Sequence, residues 1–202
     1  MKKNALIIFT RNPELGKCKT RLAKTLGDKA ALEIYKYLLQ HTANIAKKVN
    51  ADRFIFYSES INYNDIWDTK FFNKKLQTGN DLGERMQNAF KTLLDANYNN
   101  VVIIGSDLLD LNIDIIDDAF KNLNTKDVVI GPAEDGGYYL LGLKKIYPKI
   151  FKTKNWGTDT VRAETLNDLQ NENVLLLKQL NDIDTFEDMQ HYKELKPFYS
   201  LT

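Results

Sequence analysis

Residues 101–111 read VVIIGSDLLDL, and this stretch decides the fold. Two valines and two isoleucines in an unbroken apolar run describe a strand buried on both faces, as in a parallel sheet covered by helices. The run stops abruptly at Gly105, Ser106 and Asp107, with a second acid at Asp110. Open α/β sheets bind their ligands just beyond the carboxyl ends of such strands. A carboxylate there can hold a hard divalent cation against a substrate phosphate. It can equally cap the following helix. Both readings suit the stretch taken alone.

Outward from this stretch, strand and helix patterns alternate. Apolar runs at 5–9, 54–57, 101–104, 128–130, 138–141 and 174–177 predict strands, with a short one near Leu76. Helices are expected over 19–26, 28–49, 81–94, 113–123 and 159–170, with a last one opening at Thr185. Gly27 suits the end of the first helix and Asp28 the cap of the second. Asp81 with Glu84, and Thr185 with Asp188, have capping-box spacing. The alternation implies an α/β fold of three layers, α/β/α, around a mostly parallel sheet. Residues 59–75 are the most irregular and predict a mobile flap or an excursion from the sheet. No repeat, low-complexity linker or charge block divides the chain, so residues 1–202 are expected to form a single domain.

Composition removes several function classes. Lys+Arg number 28 against 27 Asp+Glu, so no basic field invites nucleic acid or an anionic membrane. No apolar stretch approaches the roughly 20 residues that span a bilayer, and the first residues lack the apolar core of a signal peptide. The single cysteine, Cys18, excludes an intrachain disulfide and fits a reducing compartment, so a cytoplasmic location is expected. Cys18 lies between two lysines, a setting that lowers a thiol pKa, but no histidine is near it in sequence and it reads as incidental. The two histidines, His41 and His191, lie away from the turn motifs, which argues against a zinc site or a Ser-His-Asp triad. Arginine is scarce, yet four of the five (Arg11, Arg21, Arg53, Arg85, Arg162) sit in or beside glycine-marked segments. The planar guanidinium fork suits phosphate better than a lysine does, which favours an anionic ligand.

Five segments carry candidate chemistry. In FTRNPELGKCKTRL, residues 9–22, Gly16 permits close backbone approach while Arg11, Lys17, Lys19 and Arg21 supply charge. This makes a cradle for a diphosphate, with a solvated basic loop as the plain alternative. The segment matches neither a P-loop nor a dinucleotide fingerprint. In GNDLGER, residues 79–85, Gly83 and Arg85 would let a helix start approach a nucleotide, while Asp81 and Glu84 cap. In GPAEDGGYYLLGL, residues 131–143, Glu134 and Asp135 precede Gly136, Gly137, Tyr138 and Tyr139. An acid there can orient a sugar hydroxyl or act as a general base beside an aromatic wall; a tight turn accounts for the glycines alone. Trp156, in WGTDTVRAET, reads as core or as the wall of an acceptor site. NDIDTFEDM, residues 181–189, offers Asp182 and Asp184, with Asp184 a second metal ligand if the fold brings it to Asp107.

Taken in order, F-x-R-x-P-x-x-G-x-x-K-T-R-L at 9–22, DLGERM at 81–86, GSD at 105–107, GPAEDGGYYL at 131–140, WGT at 156–158 and D-I-D-T-x-E-D at 182–188 form a recognisable set. The chain resembles a bacterial family of GT-A-type glycosyltransferases described as arsenosugar-biosynthesis-type. More distantly it is similar to the phospholactate and molybdenum-cofactor guanylyltransferases. The resemblance spans nearly the whole chain and implies a nucleotide-diphosphosugar transferase-like fold. It further implies that Asp107 holds Mg²⁺ or Mn²⁺ on the nucleotide diphosphate. The family pattern S-D-x-P-D-L carries a proline where this chain has Leu109, so a turn that proline would stiffen is left looser before Asp110.

The expectation is therefore a metal-dependent glycosyltransferase that uses a nucleotide-sugar donor and a small-molecule acceptor. Asp107 and Asp184 would hold the cation. Arg11, Gly16, Lys19, Arg21, Gly83, Arg85 and Ser106 would bind the nucleotide. Glu134, Gly136, Gly137, Tyr138 and Trp156 would face the acceptor, with Asp135 as base if the sugar carbon inverts. The alternative is a nucleotidylyltransferase joining a nucleoside triphosphate to a phosphorylated small molecule. A nucleotide-sensing module without catalysis is the third reading.

Overall fold

The structure is a computed structural model and describes residues 3–199. Seven strands form one sheet: β1 (Asn4–Thr10), β2 (Asp52–Tyr57), β3 (Asn73–Leu76), β4 (Asn100–Ile104), β5 (Val128–Pro132), β6 (Tyr138–Leu143) and β7 (Val174–Leu176). Their order is β3-β2-β1-β4-β6-β5-β7. β1 runs parallel to both β2 and β4, β2 to β3, and β5 to β7. β6 alone is reversed, antiparallel to β4 and to β5. The chain builds β1, β2 and β3 towards one edge and then returns to place β4 on the other side of β1. Such a reversal of strand order opens a crevice at the carboxyl ends of the two strands that flank it. Thr10 and the Gly105–Asp107 turn lie there.

Helices α1 (Thr20–Leu26), α2 (Asp28–Ala46), α3 (Leu82–Asp95), α4 (Ile113–Asn122), α5 (Val161–Asp168) and α6 (Phe186–Gln190) surround the sheet, with 3-10 turns at Pro148–Phe151 and Lys193–Phe198. Period-two alternation sends Leu6, Ile8, Val102 and Ile104 to one face, against Tyr35 and Leu39 of α2 and Ile116 and Phe120 of α4. Ile7, Val101 and Ile103 face the other way, onto Met86, Phe90 and Leu93 of α3. Each fully buried Leu or Ile in these layers contributes about 2 kcal/mol. A third cluster joins Leu22, Ile34 and Leu38 to Ile183, Met189 and Leu195. It draws the C-terminal segment across α1 and α2, and so towards the crevice.

Several boundaries differ from the sequence reading for local reasons. Gly27, not Asp28, is the N-cap of α2, and Asp28 is its first residue. α5 begins at Val161 rather than 159, and the Asp159 backbone packs closely on Gly136: a Cβ there would lie 2.3 Å from the Asp159 carbonyl oxygen. The Arg162 amide also donates to the Gly136 carbonyl at 3.0 Å. Residues 59–75 form a pinned excursion, not a flap. Trp67 and Phe72 are buried there and meet edge to face with centroids 5.3 Å apart. Lys74 Nζ lies 2.7 Å from Asp65 Oδ1, and the Tyr57 hydroxyl donates to Asp65 Oδ2 at 2.7 Å. Among the described residues, no helix is long and apolar enough to cross a membrane.

Candidate functional site

A cleft of about 880 Å³ opens at the carboxyl ends of β1 and β4. Arg11, Lys19, Arg21, Arg85, Ser106, Asp107 and Asp184 line it, so residues far apart in the chain converge on one cleft. Thr10, Tyr35 and Ser106 form its polar floor. The Tyr35 hydroxyl accepts from the Arg11 amide at 3.0 Å and donates to the Arg11 carbonyl at 3.2 Å, which fixes the start of the basic loop.

Lys19 is the centre of the arrangement. It immediately precedes α1 in the left-handed conformation, at φ 47° and ψ 48°, which costs a non-glycine residue on the order of 1 kcal/mol. This geometry carries its side chain inward, where only 4% of it is exposed. Nζ donates to Asp107 Oδ2 at 2.8 Å and to Asp184 Oδ1 at 2.8 Å. Arg21, itself exposed, approaches the other oxygen of Asp184 at 3.6 Å. Burial opposes the ammonium charge, but the two carboxylates outweigh it and raise the lysine pKa.

The loop that presents Asp184 is held by Asp188. One Asp188 oxygen accepts from the amides of Asp184 (3.0 Å) and Thr185 (2.7 Å), and the other accepts from Asn181 Nδ2 at 2.8 Å. Although burial works against ionisation, these hydrogen bonds keep the Asp188 carboxyl below its usual pKa. The expected capping box of Thr185 and Asp188 is present. Ile183 is fully buried, and the alternation of the D-I-D triplet puts Asp182 and Asp184 on the opposite side. Asp182 was not assigned a role by sequence reasoning, although that alternation signals it. Its Oδ1 is buried with no hydrogen-bond partner. Burial, then the charge of Asp107, with Asp135 and Asp184 adding to it against the pull of Lys19, push its pKa up to about 8.

The 133–137 turn is tied to this loop. The Glu134 amide donates to the Leu180 carbonyl at 3.0 Å, and the Leu180 amide donates to the Pro132 carbonyl at 3.1 Å. Asp135 accepts from the Gly137 amide at 2.8 Å. Glu134 and Asp135 remain exposed at the turn.

Several other expected site residues take part in packing. Gly83 does not line the cleft; a Cβ there would lie 2.2 Å from the Phe151 carbonyl oxygen and 2.6 Å from the Trp156 ring, so the glycine lets α3 meet the 148–151 turn. Trp156 is thereby a packing partner of α3. The Tyr138 side chain packs against the core on the α3 side, with its hydroxyl buried beside Thr165. Gly16 supplies a turn at φ 76° and does not reach the cleft. At the start of α3 the amides of Glu84 and Asn80 are taken by Asp81 and Glu84 side chains at 2.8 Å each, and the segment lines the cleft with Asn80, Asp81, Leu82 and Arg85. The Cys18 thiol donates to the Asn12 carbonyl, and burial pushes its pKa up, outweighing the neighbouring cations. Asp110 turns away to accept from the Tyr192 hydroxyl at 2.8 Å, and Leu109 packs against the third cluster.

The pattern of a family described as "Uncharacterized protein conserved in bacteria (DUF2064)" matches residues 41–158. The chain belongs to this family. A solved structure from Desulfovibrio desulfuricans G20, bearing the name "putative nucleotide-diphospho-sugar transferase", is 32% identical to this DUF2064 protein. The match covers 97% of this chain and 89% of that one, with a TM-score of 0.88. A 4-diphosphocytidyl-2C-methyl-D-erythritol synthase from Anaerococcus prevotii DSM 20548 shares the fold at TM-score 0.62 and 12% identity, over 94% of either chain. A cytidylyltransferase from Leptospira borgpetersenii matches at TM-score 0.62 and 13% identity, over 100% of this chain and 94% of its own. No curated protein matches the sequence. The DUF2064 chain thus has a nucleotide-diphosphosugar transferase-like α/β fold with a mixed, mostly parallel sheet.

Proposed function

We propose that this chain is a metal-dependent glycosyltransferase moving a sugar from a nucleotide-diphosphate donor to a small-molecule acceptor. One observation carries the reading: Lys19, Asp107 and Asp184 meet at the point where strand order reverses, in a cleft also lined by Arg11, Arg21 and Arg85. Its volume lies within the range of small-molecule sites, and its cationic side chains suit a diphosphate.

The residues fit a divalent cation completed by substrate. Among the described residues, no group of three or more His, Cys, Asp or Glu side chains is placed to hold a metal unaided. Mg²⁺, however, is usually held by one or two carboxylates plus phosphate oxygens and water. Asp107 and Asp184 are such a pair, and the buried Asp182 Oδ1 lacks any donor that would otherwise satisfy it. Bound Mg²⁺ or Mn²⁺ would neutralise charge on the departing diphosphate. Arg11 and Arg21 would grip its outer oxygens, and Ser106 would offer a hydroxyl at the cleft floor. Asp135, exposed on the turn beside Asp182, would take the acceptor's proton if the sugar carbon inverts.

A nucleotidylyltransferase is the second reading, favoured by the four cations of one loop (Arg11, Lys17, Lys19 and Arg21) that line the cleft, enough for a triphosphate. A thermal-shift panel of nucleoside diphosphates, nucleotide sugars and triphosphates, with and without Mn²⁺ or Mg²⁺, tests the shared part. Metal-dependent stabilisation by a diphosphate-bearing ligand is expected, and no shift with any member would overturn the reading. Release of nucleoside diphosphate from a nucleotide sugar supports glycosyl transfer; release of pyrophosphate from a triphosphate supports the second reading.

A further inference from the structure

Resting on the metal reading above, we infer that Lys19 is a built-in counter-cation that keeps the Asp107–Asp184 pair closed to a divalent ion until a diphosphate draws its ammonium away. Nζ stands 2.8 Å from one oxygen of each carboxylate, so the ammonium already takes up oxygens that a divalent cation would need. An ammonium and a divalent cation cannot both contact the same two oxygens, because like charges at that separation repel strongly. The lysine is not a loose surface group. Its side chain is 4% exposed and is directed inward by the left-handed backbone at the head of α1.

Release of this ammonium therefore requires a competing anion within reach. The cleft supplies the place for one, since Lys19 lines it together with Arg11, Arg21 and Arg85. A diphosphate bound there would accept the lysine ammonium and leave Asp107 and Asp184 free to hold a cation. Metal alone binds weakly, and nucleotide and metal binding strengthen one another. Lys19 is thus a positioning residue that sets the order of assembly.

The test measures Mn²⁺ binding without nucleotide, by calorimetry or by loss of the free-ion electron paramagnetic resonance signal, so it does not depend on turnover. Lys19→Met and Lys19→Gln should each bind Mn²⁺ at least tenfold more tightly than the wild type. Arg21→Met removes a unit charge from the same carboxylate but from an exposed side chain 3.6 Å away, and should change the affinity by less than threefold. Circular dichroism confirms that each variant is folded; the glutamine variant keeps a polar group at the position should the methionine one collapse. Unchanged or weaker Mn²⁺ binding by the folded Lys19 variants overturns the inference, as does equal tightening by Arg21→Met. If wild type takes up Mn²⁺ with UDP or GDP while the Lys19 variants gain nothing for Mn²⁺ alone, only this inference fails. If no protein form binds Mn²⁺ with or without UDP or GDP, the metal reading falls and carries the inference with it.

Discussion

Replacing Asp182 by asparagine removes a carboxylate whose buried Oδ1 has no partner and which feels the charges of Asp107, Asp135 and Asp184. Burial first, and Asp107 second, lift its pKa to about 8 in the metal-free fold, against about 3.9 in an unfolded chain. At about 1.4 kcal/mol per unit the ceiling is roughly 6 kcal/mol. Loop relaxation and water in the open cleft reduce this to roughly 2–3 kcal/mol. Between about pH 4 and pH 8 the folded chain keeps a proton that the unfolded chain has lost, so wild-type stability falls as pH rises through that window. Asparagine carries no such proton, and its amide can donate to the neighbouring acids. The variant should therefore match the wild type near pH 4.5 and exceed it by roughly 5–10 °C in Tm at pH 8.5. Scanning fluorimetry in EDTA across that range reads the difference directly. Parallel profiles, or a variant less stable than wild type at pH 8.5, would refute the reasoning.

Asp107→Asn should erase the metal-dependent part of stabilisation by a nucleoside diphosphate, worth about 2.7 kcal/mol at a hundred times its Kd, as read by thermal shift with and without Mn²⁺. Asp135→Asn should leave nucleotide affinity within twofold by calorimetry while lowering the transfer rate by about 10²–10⁴; a proportionate loss of nucleotide binding would remove it from the acceptor side. Gly83→Ala should destabilise the fold by about 2–3 kcal/mol, since the new methyl meets a main-chain oxygen that cannot rotate away. Urea denaturation measures this, and a neutral result would mean that α3 is free to shift.

The buried run at 101–104 and the strand–helix alternation were legible because burial on both faces leaves no polar residues in a strand. That 128–130 and 138–141 form a pair was also legible, since the 133–137 turn is too short for a crossover. The insertion of β6 between β4 and β5 was not, because strand order depends on contacts between residues about 40 positions apart. The meeting of Asp107 with Asp184 was visible as a possibility through their motifs. The lysine between them was not, because its reach depends on one left-handed backbone residue. The packing role of Gly83 was hidden for a related reason: the atoms that forbid a side chain there belong to Phe151 and Trp156, which local sequence cannot supply.

The backbone bonds joining Leu180 to Pro132 and Glu134 have a practical outcome for exchanging parts between relatives. The turn that would greet the acceptor and the loop that carries Asp182 and Asp184 are stitched edge to edge, through the parallel bridge of Ala133 with Leu180. Grafting a foreign 131–140 segment to alter acceptor choice would drag the acids of the C-terminal loop out of alignment. Chimeras in this family should therefore exchange 131–140 and 178–188 together, as one module with two chain segments.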